Sequence, residues 1–233
     1  MTAIAGSTVL VTGGSRGIGK ALVEDLYTRG AKKVYATARD PRTVTHPDAV
    51  ALALEVTDPA SVAAAAAAAG DVTILINNAG AAIGASYLSS PIEDVRREFE
   101  TNFYGPLHTA RAFVPIIEAN GGGHLLNVHS VVSWIALGGS YSASKAALWS
   151  QTNSLRVDLN PRGINVTGLH VGYVETDLAA HVDAPKVSPE SVAALALDGI
   201  ESDAFEVLAD ETSRQVKAAL SGDLEALYPQ LAR

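Results

Sequence analysis

Residues 7–30 constrain the fold more than any other stretch. Ser7-Thr8-Val9-Leu10-Val11 is a short β-branched run, the pattern of a buried strand. It leads straight into Thr12-Gly13-Gly14-Ser15-Arg16-Gly17-Ile18-Gly19, followed by the helical pattern KALVEDLYTRG, which Gly30 closes as a C-cap signal. A glycine turn between strand and helix has a specific use. It lets the backbone approach a ligand closely, and it presents an anion with free N–H groups and the positive end of the helix dipole. The glycines at 13, 17 and 19 are spaced GxxxGxG, not GxGxxG. In this strand–turn–helix setting the pattern predicts binding of a diphosphate-bearing cofactor.

The same alternation recurs down the chain. Strands are expected over residues 33–38, 50–54, 72–76, 124–129 and 164–170. Asp58 as N-cap with Pro59 at the first helical position starts one helix, and the alanine-rich run to Ala69 continues it. Pro91 opens another, reaching about residue 117, and residues 141–159 form a third. Residues 204–208 supply a seventh strand and 210–220 a further helix. Repeated βα units predict an α/β protein: a Rossmann-type, doubly wound parallel sheet with helices on both faces, in one domain over 1–233. Within it, 7–178 carries the cofactor and catalytic motifs, and 179–233 a substrate lid and C-terminal segment.

Composition narrows the function. Net charge is 17 − 25 = −8 with Lys and Arg scattered, which argues against nucleic acid and anionic membrane surfaces. There are no cysteines, so disulfides and thiolate metal sites are excluded. The six histidines show no metal-ligand spacing, and no metal is expected. No apolar run approaches the roughly 20 residues that span a bilayer, and the N-terminus lacks a signal-peptide pattern. A soluble cytoplasmic protein is the expectation.

Two details concern the cofactor. The second strand ends at Ala38-Arg39, where an acid would bond an adenosine 2′-hydroxyl and an arginine instead suits a 2′-phosphate. With Arg16 in the glycine turn, two guanidiniums favour NADP(H) over NAD; the alternative is that both coat the surface, with Asp40 supplying an acid nearby. At the fourth strand's end, Asn77-Asn78-Ala79-Gly80 offers polar groups that either tie strand tips together or face the cofactor.

Tyr141-Ser142-Ala143-Ser144-Lys145 opens the third long helix. Positions i and i+4 share a helical face, so phenol and ammonium point into the same space. A nearby cation favours phenolate, predicting a tyrosine pKa lowered from its usual value of about 10 and a general acid/base at Tyr141. Asn102 lies inside a predicted helix, where Asn competes with its own backbone and needs a reason to be there.

TGGSRGIG, NNAG, an Asn in a long middle helix, a Ser after the fifth strand and YxxxK, in that order, resemble the short-chain dehydrogenase/reductase family over about residues 7–178. The resemblance implies an NADPH-dependent carbonyl reductase, reversible as a secondary alcohol dehydrogenase. Tyr141 would exchange a proton with the substrate oxygen, and Lys145 would lower its pKa and bond the nicotinamide ribose. Ser130 would hydrogen-bond the substrate oxygen, and Asn102 would hold a water linking Lys145 to solvent. Cofactor contacts would come from Gly13, Ser15, Arg16, Gly17, Ile18 and Gly19, from Arg39, and from Asn78, Ala79 and Gly80. Glu55 would meet the adenine, with Val56 on its ring, and Gly172, Val174 and Thr176 would line the nicotinamide side. A non-catalytic NADP-binding regulatory or scaffold protein on the same fold is the alternative.

Several positions depart from the family pattern. His129 stands where a first serine is common, with a tuning or a structural role beside Ser130; the loop to Tyr141 is trimmed, leaving Ser133 as a second serine candidate. Glu55 replaces the usual Asp, and Val171 the usual proline. The usual glycine-rich C-terminus is absent, which predicts a monomer or homodimer over a tetramer. The lid, Asp177 to Pro185, is short and mostly apolar. Trp134, Ile135, Leu137, Tyr173 and Tyr87 are expected near an open apolar pocket, with Ser130, Trp134, Tyr141 and Tyr173 touching substrate. Without Arg or Lys in that set, a hydrophobic or aryl ketone is expected, not an acyl-carrier thioester.

Overall fold

All seven predicted strands form in the computed structural model, which describes residues 1–231. Ala232 and Arg233, the end of the span read as one domain, lie outside the described residues. The strands are β1 (Thr8–Val11), β2 (Lys33–Ala38), β3 (Val50–Ala53), β4 (Ile74–Asn77), β5 (Gly123–Val128), β6 (Ile164–His170) and β7 (Glu206–Leu208). They make one sheet in the order β3-β2-β1-β4-β5-β6-β7, and every neighbouring pair is parallel.

Side chains alternate across this sheet, as strand geometry requires. Val9, Val11, Ile74, Ile76, Leu126 and Val128 enter one core layer, with α1 (Gly17–Thr28) and α6 (Pro189–Glu201). Leu10, Leu75 and Leu125 enter the other, with α2 (Pro59–Ala68) and α4 (Gly105–Ala119). Both faces are dry, which is why the central strands read as unbroken apolar runs. Winding reverses between β1 and β4, so a crevice opens beyond their C-terminal ends, the place where such sheets bind ligands.

Sequence periodicity did not reveal α6. Its signal is Ser188, which caps the Ser191 amide, with Pro189 in the first turn, ahead of a helix whose Val192, Ala193, Ala196, Leu197 and Ile200 are buried. The helix expected from Pro91 onward is also not continuous. It divides into α3 (Ile92–Phe99), a π-helical stretch Glu100–Tyr104, and α4. The π turn carries Asn102 and rotates it inward, to zero exposure.

Candidate active site

The glycine turn forms a cradle at the β1–α1 junction. Gly13 (φ +67°) and Gly17 (φ +52°) occupy left-handed backbone that disfavours side chains. A Cβ on Gly19 would lie 2.0 Å from the Gly13 carbonyl oxygen and 2.6 Å from Asn78 Nδ2. No side chain caps the start of α1, where Arg16 is extended and no acid lies in the first turn. Its free N–H groups are therefore left to a ligand. These features fit a dinucleotide diphosphate. Gly19→Ala is accordingly expected to weaken NADPH binding at least about tenfold in a fluorescence titration; unchanged binding would show that the turn does not hold the diphosphate.

Asn78 braces the turn, donating from Nδ2 to the carbonyls of Thr12 (3.0 Å) and Gly13 (3.1 Å). The Thr12 hydroxyl accepts from the amides of Asn78 (2.9 Å) and Ala79 (3.0 Å). Asn77 bonds the side chains of Asn127 and Thr109. Both asparagines thus tie neighbouring strand ends and the glycine turn together. From the other side, Thr176 packs its methyl over the turn, 3.0 Å from where a Gly17 Cβ would stand. Val174 is buried and bridges to Val187, and the Gly172 amide donates to Asp210 at 2.6 Å.

At the β2 tip, Arg39 is exposed and makes no ion pair among the described residues. Among the described residues, the Arg16 side chain meets only the exposed Asp177, at 3.3 Å. Asp40 is taken up by Arg42 (2.9 and 2.8 Å), which holds its carboxyl below the usual range. Glu55 accepts from the amide and hydroxyl of its neighbour Thr57 (3.2 and 3.0 Å). Val56 is buried with its side chain against Gly105.

The catalytic candidates converge from three segments. Tyr141 and Lys145 lie on α5 (Ser140–Leu159), and Ser130 begins the short turn after β5. Lys145 is buried, its Nζ donating to the Val128 carbonyl at 2.8 Å and standing 5.8 Å from the centre of the Tyr141 ring. Burial lowers its pKa to about 8. Tyr141 departs from the sequence expectation: its pKa is raised to about 12, not lowered. Burial of the hydroxyl dominates, a hydrogen bond with Ser130 opposes it, and the charge of Glu98 adds to it. The Lys145 ammonium stands 5.8 Å from the ring centre and does not outweigh the burial of the phenol. In the chain itself Tyr141 is thus held as a proton donor.

The Ser133 hydroxyl accepts from the Ser130 amide (3.3 Å), and the Ser130 hydroxyl, which donates to the Val171 carbonyl (3.4 Å), is the serine hydroxyl set against Tyr141. Asn102 uses its whole amide: Oδ1 accepts from Ala81 N (2.9 Å), and Nδ2 donates to Ala81 O (2.8 Å) and Ser144 Oγ (2.9 Å). Gly80 lies beside it, where a Cβ would be 3.3 Å from Asn102 Oδ1 and 3.7 Å from Lys145 Nζ.

Trp134, expected near the pocket mouth, is half-buried. Its ring stacks on His170 at 3.9 Å, meets Trp149 edge-on and has Lys217 4.8 Å away. His129 stacks on the other histidine at 4.7 Å, and burial holds its pKa well below the usual value. Tyr173 is half-exposed. Glu98, fully buried beside the site, had no sequence signal except a carboxylate among the charged residues of α3.

A parallel sheet with a glycine cradle at its switch point and a Tyr–Lys pair beside it defines a nucleotide-dependent oxidoreductase fold. The family model for short chain dehydrogenases matches residues 7–186, and the chain belongs to the short-chain dehydrogenase/reductase family. It is 30% identical over 97% of its length to 1-deoxy-11-beta-hydroxypentalenate dehydrogenase of Streptomyces avermitilis, covering 92% of that protein. A short chain dehydrogenase from Burkholderia cenocepacia, solved in complex with NADP, superposes with a TM-score of 0.94 at 35% identity, covering all of both chains. A relative from Burkholderia phymatum, solved with NAD, gives 0.86 at 26% identity, covering 99% of this chain and 97% of that one. The protein is a short-chain oxidoreductase acting on small molecules, and no helix among the described residues is long and apolar enough to cross a membrane.

Proposed function

We propose that the chain is an NADPH-dependent carbonyl reductase, reversible as a secondary alcohol dehydrogenase, acting on hydrophobic or aryl ketones. The observation that carries this is Tyr141 held as an acid, with Ser130 hydrogen-bonded to it and Lys145 one turn away. The cradle of Gly13, Gly17 and Gly19 would hold the diphosphate, with Lys145 and Thr176 on the nicotinamide side. Bound there, NADPH supplies the hydride. Tyr141 gives its hydroxyl proton to the carbonyl oxygen, and Ser130 donates a hydrogen bond to that oxygen as charge develops on it. Lys145 places a positive charge close to the phenolate left behind.

The choice of NADPH rests on Arg39 and Arg16. Arg39 is free of carboxylates while Asp40 is spent on Arg42, so a 2′-phosphate meets guanidinium and not acid. Arg16→Ala/Arg39→Ala is expected to weaken NADPH at least about tenfold and leave NADH within about threefold, by fluorescence titration. Equal losses for both cofactors would place the arginines away from the 2′-position.

The choice of ketone rests on exposed apolar residues of the loops after β4, β5 and β6. Ile83, Tyr87, Leu137, Tyr173 and Leu178 are all exposed, and none carries a charge that would hold a carboxylate or phosphate. A panel of aryl ketones and acetoacetyl thioesters with NADPH tests it. Turnover of the thioesters alone would reassign the substrate; tight NADPH binding with no turnover on any carbonyl would favour a regulatory role.

A further inference from the structure

Glu98 is a carboxylate with no exposure at all, on the inner side of α3. An uncompensated buried carboxylate costs several kcal/mol, so its partners reveal what the site requires. Its Oε1 accepts from the amides of Ile83 (2.6 Å) and Gly84 (2.8 Å), and its Oε2 from the hydroxyl of Ser140. Four residues on, Asn102 repeats the arrangement, bonding Ala81 on the same loop and Ser144 on the same helix. The two serines are themselves four apart, and each directly precedes a member of the Tyr141–Lys145 pair. Two polar rungs therefore join the α3–π segment to the loop after β4 and to α5. The loop is also closed onto the start of α5 by Ser140 N to Ala85 O (3.0 Å) and by the Tyr87 hydroxyl to Gly139 O (2.9 Å).

We propose that Glu98 is a positioning residue, which through Ser140 and the amides of Ile83 and Gly84 sets the start of α5, and so Tyr141, against the substrate-side loop. This rests on the acid/base assignment of Tyr141. Leu or Met would fill the same volume without desolvating a charge, yet neither could receive three donors. Two charges face Tyr141: Lys145 from its own helix and Glu98 from α3. His129, which feels the Lys145 charge, is held neutral by burial. The Glu98 charge opposes phenolate formation, so it also favours the protonated acid.

The test compares Glu98→Ala with Glu98→Gln, with the exposed Glu93→Gln on the same helix as control. Glutamine keeps an oxygen for the two amides and gains a donor toward Ser140, so it retains the geometry and loses the charge. Glu98→Ala is expected to lower kcat at least about tenfold with NADPH affinity within about threefold, and to lose hydrogen-exchange protection at the Ile83 and Gly84 amides. Glu98→Gln is expected to restore both protection and kcat to near wild type. It should also move the rising limb of alcohol oxidation to lower pH, because the phenolate is no longer opposed. Ser140→Ala, which leaves the loop amides paired, should lower kcat without changing their exchange. Full kcat in Glu98→Ala, or a Glu98→Gln as impaired as Glu98→Ala, would overturn the positioning role. Exchange and cofactor binding do not depend on turnover, so a Tyr141→Phe enzyme that still works would overturn the acid/base assignment separately.

Discussion

Tyr141→Phe is expected to lower ketone turnover by at least about 10²-fold, the usual contribution of a general acid, with NADPH affinity within about threefold of wild type. The substitution removes one oxygen and keeps the ring, so the packing of α5 survives. The lost atom is the one whose pKa burial raises to about 12, which keeps it protonated through the working range and able to donate. The same geometry gives a pH profile. Reduction should hold level up to about pH 8 and fall above it, where Lys145 loses its proton and the positive charge beside the nascent phenolate disappears. Stopped-flow or steady-state oxidation of NADPH at fixed ketone concentration measures both effects. A Tyr141→Phe enzyme with more than about a tenth of wild-type turnover would remove Tyr141 from the proton-transfer step.

The parts of this protein that were legible in sequence are those governed by local rules. Strand, glycine turn and helix over residues 8–28 follow from β-branching, glycine spacing and 3.6-residue periodicity, and the structure has them. The fourth strand begins at Ile74, two residues later than residue 72, and Thr73 just before it already accepts from the His124 amide of β5. What was not legible depends on long-range environment. A lysine four residues from a tyrosine implies a lowered phenol pKa only if its charge outweighs the cost of burying the phenolate. Here burial wins and raises the Tyr141 pKa to about 12, with the ammonium 5.8 Å from the ring centre and bonded to the Val128 carbonyl, seventeen residues away in sequence. The sequence places Trp134 near the pocket mouth but could not show that His170 and Lys217, from distant segments, pack against its ring. Asn102 signalled only that it needed partners; the π turn and its bonds to Ala81 and Ser144 supply the reason.

Lys145→Met is expected to raise the thermal midpoint while abolishing turnover, because the same burial that suits Lys145 to the site destabilises the fold. Methionine matches the length of the stem and carries no charge to desolvate. The drop in pKa from 10.5 to about 8 corresponds to roughly 3 kcal/mol of preference against the ammonium in the folded state. Losing the charge-assisted hydrogen bond to Val128 O offsets roughly 1.5–3 kcal/mol of that gain. A net gain of at most about 1.5 kcal/mol corresponds to at most roughly 6 °C for a chain of this size. The sign reverses the usual behaviour of a paired lysine. Because the folded pKa lies below the unfolded one, the penalty is fully present below pH 8 and fades as pH rises toward 10.5. The stability gap between Lys145→Met and wild type should therefore be widest near neutral pH and close on the alkaline side, which thermal melts from pH 6 to 10 would follow. A Lys145→Met melt below wild type at pH 7 would mean that the ammonium is stabilised in the fold, and that its basicity is not lowered by burial.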